Sequence, residues 1–314
     1  MIKKIISLFL ALLLLTTCLT ACNLGVEKTT DESSASESTD PVPEAYEISV
    51  EELSNYIIVY SANATADVEA AASTLSSAFA NKFGVALKAR ADDFINMSGE
   101  IVVGEYEILI GETNREESAA FLSTLKYKDS GYKLIGKKLV IAAHDFYNTA
   151  QAVTDFVNLI RKTDKKATVF YKSEMDQTEV GSYLYGSMTL DGADIAQYSI
   201  VYPDGAAFEK MLANKLMKSI AEHCGAVLDV VSDAEEISGR AILVGRTRRA
   251  EGLDALNVAD GKALAVLYDG DLHLCGADVL GHSRAVDAFR GLYEQGEQAE
   301  VLALDLARIV GGDG

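Results

Sequence analysis

Apolar residues follow a similar pattern along two stretches of the chain, residues 48–160 and 190–293. In each stretch, short apolar runs typical of strands alternate with segments whose apolar residues recur every three to four positions, as on a helix. The order predicted for both stretches is β-α-β-β-β-β-α. The fully apolar runs that end at Gly111 and Gly245 predict central strands covered on both faces of a sheet. We therefore expect an α/β fold of two tandem modules with mixed sheets.

A helix is predicted after the first strand of each stretch, because apolar residues there are spaced by four or seven positions. In the first stretch they are Val68, Leu75, Phe79 and Phe83, and in the second Phe208, Leu212, Leu216, Ile220 and Cys224. Gly84 and Gly225 follow directly, where a left-handed residue ends a helix. The next strands are predicted near Val85–Ala89 and Val227–Val231.

The two stretches also share residues at equal offsets. ISVEELSNYIIVY at residues 48–60 aligns without gaps with LDGADIAQYSIVY at residues 190–202, and ILIGETNREE at residues 108–117 aligns with ILVGRTRRAE at residues 242–251. A glycine that centres a predicted hairpin follows Gly111 and Gly245 after the same 25 positions. Three blocks in one register predict an internal duplication.

The N-terminus has the pattern of an export signal. Residues 1–21 combine two lysines with an apolar run, Ile5–Leu15, and contain no acidic residue. The run is shorter than the about 20 residues that span a bilayer, which disfavours an uncleaved membrane anchor. Leu19-Thr20-Ala21-Cys22 resembles a lipobox. This resemblance implies cleavage before Cys22 and lipidation of its thiol.

Four segments follow from these patterns. Residues 1–21 are the predicted signal peptide, and residues 22–45 are the predicted lipidated cysteine and a disordered Ser/Thr/Glu-rich stalk that buries too little apolar surface to fold. Residues 46–176 and 183–314 are the two predicted modules. The expected location is the cell membrane, with the folded part held by lipid on its extracytoplasmic side.

Composition narrows the partners. Because residues 1–21 hold two lysines and no acid, the mature chain carries 26 basic and 47 acidic residues, a net charge of −21. Such a charge repels nucleic acid, so none is expected as a partner. Beyond the signal peptide and Cys22, the cysteines are Cys224 and Cys275. Both lie in apolar patterns, which favours buried free thiols and leaves one disulfide as the alternative.

No familiar catalytic motif occurs in the sequence. The four histidines, His144, His223, His273 and His282, are too far apart to form the His-Glu-x-x-His pair that binds zinc. The nucleophile elbow Gly-x-Ser-x-Gly and the phosphate-binding Gly-Lys-Ser/Thr loop are missing as well. We therefore predict no catalytic residue, metal or cofactor. A hydrolase of unrecognised type stays the alternative, because acidic residues are too abundant to exclude a carboxylate pair.

The turn after each central strand carries the polar residues most suited to a ligand. They are Thr113 and Arg115 in the first copy, and Arg246, Thr247, Arg248 and Arg249 in the second. Strand ends of α/β sheets often bind ligands, and guanidinium groups suit carboxylates or phosphates. The competing interpretation is structural. Threonine can cap the turn, and Arg115 and Arg249 each precede a glutamate by two positions, as in paired surface charges.

The element order, with the I-L-I-G-x-T-x-R turn and a glycine-centred hairpin, resembles the zincin-like small domain of family 20 hexosaminidases and family 67 glucuronidases. In those enzymes the small domain is accessory, and a barrel that we do not find in this sequence performs the chemistry. Glu107–Arg115 is also similar to an E-I-L-I-G-x-T-N-R run of uncharacterised exported clostridial proteins. The resemblance implies a non-catalytic, extracellular accessory protein that binds glycan or assists in glycan processing. A surface protein-interaction module is the other alternative.

Overall fold

A computed structural model describes residues 47–162, 168–171, 175–250, 258–259, 262–304 and 309–311. Cys22, the predicted signal peptide and the predicted stalk lie outside these ranges. The described residues all belong to one compact unit, Ala45–Gly314. None of the helices within the described ranges is long and apolar enough to cross a bilayer.

The first half of this unit contains eight of the described strands. They are β1 (Glu47–Ser49), β2 (Ile57–Tyr60), β3 (Ala89–Ala91), β4 (Glu107–Ile110), β5 (Ser130–Ile135), β6 (Lys138–Ala143), β7 (Thr168–Tyr171) and β8 (Asp176–Glu179). Six of them form a mixed sheet in the order β3-β2-β4-β6-β5-β8. Strands β3, β2, β4 and β6 are parallel, and β5 pairs antiparallel with both β6 and β8.

Helices cover both faces of the first sheet. The described helices of this half are α1 (Val50–Leu53), α2 (Ala66–Phe83), α3 (Glu116–Leu122) and α4 (Phe146–Lys162). Successive strand residues point to opposite faces. Ile108 and Ile110 therefore pack with α2 and α4, while Leu109 packs with Phe121 of α3. All residues of β4 are buried, which confirms the central strand that the continuous apolar run predicts.

The second half repeats this sheet order. Its described strands are β9 (Tyr185–Leu190), β10 (Ala193–Asp194), β11 (Tyr198–Tyr202), β12 (Val230–Ser232), β13 (Arg240–Val244), β14 (Ala263–Tyr268), β15 (Asp271–Gly276), β16 (Ala299–Leu304) and β17 (Ile309–Gly311). Six form a mixed sheet in the order β12-β11-β13-β15-β14-β17, with the same strand directions as the first sheet. Helices α5 (Ala207–Cys224) and α6 (Val279–Arg290) pack on one face.

Two smaller sheets complete the described strands. Strands β1 and β7 form an antiparallel pair in the first half, and β10-β9-β16 form a mixed three-stranded sheet in the second. Among the described strands, no sheet combines the two halves. The boundary predicted at residue 176 falls on the first residue of β8, so the first sheet extends to Glu179.

The α/β fold class with mixed sheets is confirmed, and several details differ from the sequence prediction. Helix α3 is absent from the predicted element order, although Glu116-Glu117 followed by Ser-Ala-Ala-Phe-Leu has the acidic first turn of a helix. The strands predicted at Val85–Ala89 and Val227–Val231 lie further along the chain, as β3 and β12. Three-residue strands carry too little periodic signal to fix their ends.

The apolar stripe predicted on α5 is wrong at its first turn. Phe208 is 36% exposed, whereas Glu209 is buried. The exchange follows from α6, where His282 offers Glu209 a buried partner. Both left-handed helix ends occur as predicted, with φ values of 75° at Gly84 and 83° at Gly225.

The thiols of Cys224 and Cys275 are free and buried, as the favoured interpretation expected. Burial raises the pKa of both. Because the thiolate is the reactive form, these side chains act as apolar packing groups.

Candidate functional site

Arg115, predicted as a ligand-binding residue or a surface ion pair, is a buried side chain. Its Nε donates to Oε2 of Glu107 at 3.0 Å, and only 4% of Arg115 and none of Glu107 is exposed. Its guanidinium also donates to the backbone oxygens of Asp92 and Val102, at 3.3 and 3.0 Å. The interpretation as a surface pair with Glu117 is therefore wrong. The buried guanidinium of Arg115 therefore links the first turn to Glu107 and to the backbone of Asp92 and Val102.

Besides Arg115, two more cationic side chains lie near the carboxylate of Glu107. Nη2 of Arg90 and Nζ of Lys138 lie 3.6 and 3.7 Å from its carboxylate oxygens. Lys138 also pairs with Glu117 at 3.0 Å, so Glu117 has a partner other than Arg115. Three cations around a fully buried carboxylate offset its desolvation, which a single partner rarely does completely.

The remaining predicted residue of the first turn is engaged as well. Oγ1 of Thr113 lies 2.7 Å from Oγ of Ser118, and both residues are buried. The amide of the exposed Asn114 donates to Oδ2 of Asp92 at 2.7 Å. Thr113 and Arg115 thus hold the turn against α3 and β3, and their polar groups face protein rather than solvent.

The second turn is more open. Arg246, Arg248 and Arg249 are exposed, whereas Thr247 is 3% exposed. Nε of Arg249 lies 2.8 Å from Oδ2 of Asp271, and Nε of Arg248 lies 3.9 Å from Oδ1 of Asp233. Arg246 forms no ion pair within the described part of the chain. Glu251, the partner expected for Arg249, lies outside the described residues.

An aspartate holds the same position behind both turns. The carboxylate of Asp92 accepts from the amides of Ala62 and Asn114, at 2.8 and 2.7 Å. The carboxylate of Asp233 accepts from the amides of Asp204 and Arg248, both at 2.8 Å. Each carboxylate therefore joins the carboxyl ends of two neighbouring parallel strands. Ligands of α/β sheets often bind in the crevice at these strand ends. In this protein an aspartate side chain already accepts from the backbone amides there.

A buried acid–imidazole pair lies beneath the second turn. Nδ1 of His282 is 2.9 Å from Oε1 of Glu209. Gly245 has a φ of 83°, and a Cβ there would lie 3.0 Å from Cγ of Glu209 and 3.2 Å from Nδ1 of His282. The turn can approach the pair this closely because residue 245 is glycine. The described residues contain no group of three or more His, Cys, Asp or Glu side chains that could bind a metal.

A second candidate site lies in a groove of about 490 Å³ that the sequence did not single out. We call it the aromatic groove, and its lining residues are Tyr127, Lys128, Asp145, Phe146, Tyr147, Asn148, Lys218 and Glu222. Three segments build it: the loop after α3, the start of α4, and the exposed side of α5. Both halves of the compact unit therefore contribute to one site.

The aromatic residues of the groove face solvent to an unusual degree. Tyr147 is 77% exposed and Phe146 is 43% exposed, although both begin a helix whose other face is core. Tyr127 is half-buried and stacks on His144, with ring centroids 6.4 Å apart and an interplanar angle of 19°. Burial raises the pKa of the Tyr127 phenol, and the carboxylates of Asp145 and Glu222 raise it further. The phenol therefore stays a neutral hydrogen-bonding group.

The polar groups of the groove are held in place by local contacts. Asp145 accepts from the amide of Asn148 at 2.8 Å and from its Nδ2 at 2.7 Å, which caps the start of α4. Lys218 and Glu222 are one helical turn apart on α5, with Nζ and Oε1 separated by 3.8 Å. Two ammonium and two carboxylate groups line the groove, so its local formal charge is zero.

The loop that supplies Tyr127 also joins the two halves. The amide of Tyr127 donates to the oxygen of Gly225 at 3.0 Å, and Nζ of Lys126 donates to the oxygen of Gly186 at 2.8 Å. A cleft of about 590 Å³ beside these contacts is lined mainly by apolar residues, among them Leu122, Leu125, Met188, Ile195 and Val227. These contacts fix the groove residues from the two halves relative to one another.

The sequence left a weak signal for this site. Asp145-Phe146-Tyr147-Asn148 places an N-cap aspartate before two aromatic residues, but which face they occupy depends on how α4 packs. Four tyrosines at equal offsets in the two stretches, on or next to β2 and β11, differ from Tyr147 in their exposure. Tyr56 and Tyr198 are buried, while Tyr60 and Tyr202 are partly buried against the two cores.

Comparison with known proteins identifies no family. No model of a known protein family matches the chain, and no curated protein matches it. The chain is similar to a solved structure titled "Structure of CpGH84D", a glycoside hydrolase, with a TM-score of 0.28 and 8% sequence identity. The similarity covers 66% of this chain, which spans 30% of that structure. A TM-score this low establishes neither a shared fold nor a shared activity.

Proposed function

We propose that this chain is a lipid-anchored, extracytoplasmic protein that binds glycan in the aromatic groove without cleaving it. The observation that carries the proposal is the exposure of Tyr147 and Phe146 beside four charged side chains and one amide. Aromatic rings that the core does not need present an apolar surface to the C–H faces of a sugar ring. The surrounding polar groups can then pair with its hydroxyls.

The charges of the groove favour a neutral glycan. Lys128 and Lys218 offer donors and Glu222 offers an acceptor, and together with Asp145 their formal charges cancel. An acidic glycan would gain little, because the ammonium of Lys218 already lies near Glu222 and that of Lys128 donates to the oxygen of Ser182. A sugar hydroxyl can donate to Glu222 and accept from Lys218 at the same time. The carboxylate of an acidic glycan can only accept.

The non-catalytic part of the proposal is supported by how Asp145 is used. Both of its carboxylate oxygens accept hydrogen bonds from Asn148, so this acid caps α4 and positions the groove. The lipid anchor is supported by the lipobox-like tetrad that ends at Cys22. Such an anchor would present the groove outside the membrane to polysaccharide or cell-wall glycan.

The test is a glycan array probed with the unlipidated mature chain, residues 22–314 with Cys22→Ser, followed by calorimetry on each glycan that binds. We expect Tyr147→Ala to weaken binding about 5- to 150-fold, if a sugar stacked on this ring contributes as much as a stacked base does, about 1–3 kcal/mol. Tyr147→Phe keeps the ring and should weaken binding only about twofold, since an exposed hydrogen bond contributes about 0.5 kcal/mol, the low end of the usual range.

Tyr268→Ala is the matched control, because Tyr268 is 48% exposed on β14 and lies outside the groove lining. Its affinity should equal that of the native chain. Equal loss in Tyr147→Ala and Tyr268→Ala, or no loss in either, would contradict the groove as the binding site. Release of product from any arrayed glycan would instead support the hydrolase alternative.

A further inference from the structure

The connection between β3 and β4 carries a cluster of exposed apolar side chains. Residues 94–103 contain Phe94 (51% exposed), Ile95 (56%), Met97 (104%), Ile101 (49%) and Val103 (58%). Transfer of a side chain of this size from water into an apolar environment is favourable by about 1.5–3 kcal/mol. We call residues 94–103 the hydrophobic finger. Five large apolar residues exposed within ten positions point to a binding surface.

The hydrophobic finger is an ordered hairpin. Ile95 and Ile101 form an antiparallel bridge, and the amide of Val102 donates to the oxygen of Phe94 at 2.9 Å. At the tip, Oδ1 of Asn96 accepts from the amides of Ser98 and Glu100, at 2.8 and 3.0 Å. The amide of Asn96 donates in turn to the oxygen of Glu100 at 2.9 Å. Four of the five backbone amides at the tip, those of Asn96, Ser98, Gly99 and Glu100, therefore donate within the hairpin.

Its base is fixed to the first sheet. The guanidinium of Arg90 lies over the ring of Phe94, 5.2 Å from the centroid, and donates to the oxygen of Val102 at 2.9 Å. The buried Arg115 donates to the same oxygen at 3.0 Å. The network around Glu107 thus supports the finger and holds its apolar tip away from the sheet.

The fold itself does not need this finger. The corresponding connection in the second half, between β12 and β13, has seven residues, 233–239. Its one large apolar residue, Ile237, packs on the sheet. Because the second sheet has the same strand order with this short connection, the exposed apolar residues of the first half serve no role in closing the sheet.

We propose that the hydrophobic finger inserts into a lipid bilayer of low negative charge. Lipid offers no hydrogen bonds, so an inserting segment does best when its backbone groups bond within the segment, as four of the five tip amides of this hairpin do. Residues 91–104 contain no lysine or arginine but include the exposed acids Asp93 and Glu100. Anionic lipid would repel these acids, and a zwitterionic surface would not.

The length of chain before Glu47 supports this occupant. The inference rests on the lipid anchor of the proposed function. Cys22, the proposed site of lipid attachment, precedes the first described residue by 25 positions. A coil of that length spans about 25–30 Å. Such a tether would hold the compact unit beside the bilayer at high effective concentration, so a finger with weak affinity could still be engaged.

Vesicle flotation of the unlipidated mature chain, residues 22–314 with Cys22→Ser, tests the inference without depending on the anchor. We expect the chain to float with phosphatidylcholine vesicles and to bind less to vesicles that contain half phosphatidylglycerol. Met97→Asp should lower binding to phosphatidylcholine at least tenfold, while Met97→Leu should preserve it. Met211→Asp is the matched control and should bind normally, because Met211 is 54% exposed on α5, in the other half.

A second measurement locates the contact. In Cys22→Ser/Met97→Cys, a polarity-sensitive dye should react at residue 97, since Cys224 and Cys275 are buried, and its emission should shift to the blue on vesicles. Absence of flotation, equal flotation of Met97→Asp, or an unshifted dye would overturn the inference. So would sedimentation showing a native dimer that Met97→Asp separates, because the finger would then bind a second copy. Failure of lipidation at Cys22 would affect the anchor alone.

Discussion

Nε of Arg115 lies 3.0 Å from Oε2 of Glu107, and both side chains are withdrawn from solvent. The two residues are eight positions apart, at the two ends of a segment that runs along β4 and through the turn after it. With Arg90 and Lys138 beside the same carboxylate, Arg115 stabilises the first turn. This arrangement favours a structural role for Arg115 over ligand contact.

Glu107→Ala should strongly destabilise the protein, because it leaves the buried Arg115 without its carboxylate. Breaking a buried pair from one side costs about 3–5 kcal/mol. Glu105→Ala is the control, since Glu105 is an exposed partner of Lys137 and a surface pair contributes about 0–1 kcal/mol. Denaturant unfolding measures both. A loss below about 1 kcal/mol for Glu107→Ala would show that the network contributes little to stability.

The arginines of the second turn should differ in their effect on acidic ligands. Arg248 and Arg249 already face Asp233 and Asp271, whereas Arg246 forms no ion pair within the described ranges. If acidic glycans bind at this turn, Arg246→Ala should weaken binding more than Arg248→Ala/Arg249→Ala, and raised salt should weaken it further. Calorimetry at two salt concentrations measures this, with Lys133→Ala as control. Unchanged affinity in all variants would remove the turn as a site.

Cys22→Ala should abolish lipid attachment and leave an uncleaved precursor, because the lipobox-like tetrad requires the thiol at its last position. Metabolic labelling with a fatty-acid analogue measures incorporation, and gel mobility measures cleavage. Cys224→Ala is the control and should label normally, since its thiol is buried in the folded unit. Label persisting in Cys22→Ala would contradict the proposed anchor.

Acid should destabilise the protein partly through His273. Burial lowers the pKa of this imidazole below its usual value, despite the opposing effect of Asp271. In the unfolded chain this imidazole has a pKa of about 6.5, so it binds a proton at a pH where the imidazole of the folded chain stays neutral. Stability therefore falls as pH decreases through that range. His273→Leu should show a smaller decrease in unfolding free energy between pH 7.5 and pH 5 than the native chain. An identical decrease in both would exclude His273 as a contributor.

The two halves should fold as separate fragments if the first one keeps β8. Residues 46–182 include this strand, whereas residues 46–176 cut it after its first residue. We expect cooperative thermal unfolding from 46–182 and from 183–314, and lower stability from 46–176, which exposes the edge of β5. Both fragments lose the contacts of Tyr183 with Lys128 and Asp129. Non-cooperative unfolding of 46–182 would show that the first module depends on the second.

Several features follow from the sequence alone because their physical causes are local. Backbone preference ends α2 and α5 at Gly84 and Gly225, and a continuous apolar run identifies β4 and β13 as strands buried on both faces. The fold class follows from the alternation of these patterns. Strand ends, by contrast, depend on pairing with neighbours, which is why β3 and β12 are displaced from their predicted positions.

The candidate site depended on tertiary structure. Sequence placed Arg115 and the arginines at 246, 248 and 249 at two equivalent turns, but burial separates them: Arg115 is enclosed with Glu107, while the others remain exposed. A sequence cannot show which charged side chains pair in the buried interior, because Glu107 and Arg90 come close to Arg115 only when the sheet forms. The aromatic groove likewise joins Tyr147 of α4 to Glu222 of α5, residues 75 positions apart that only the packing of the two halves places side by side.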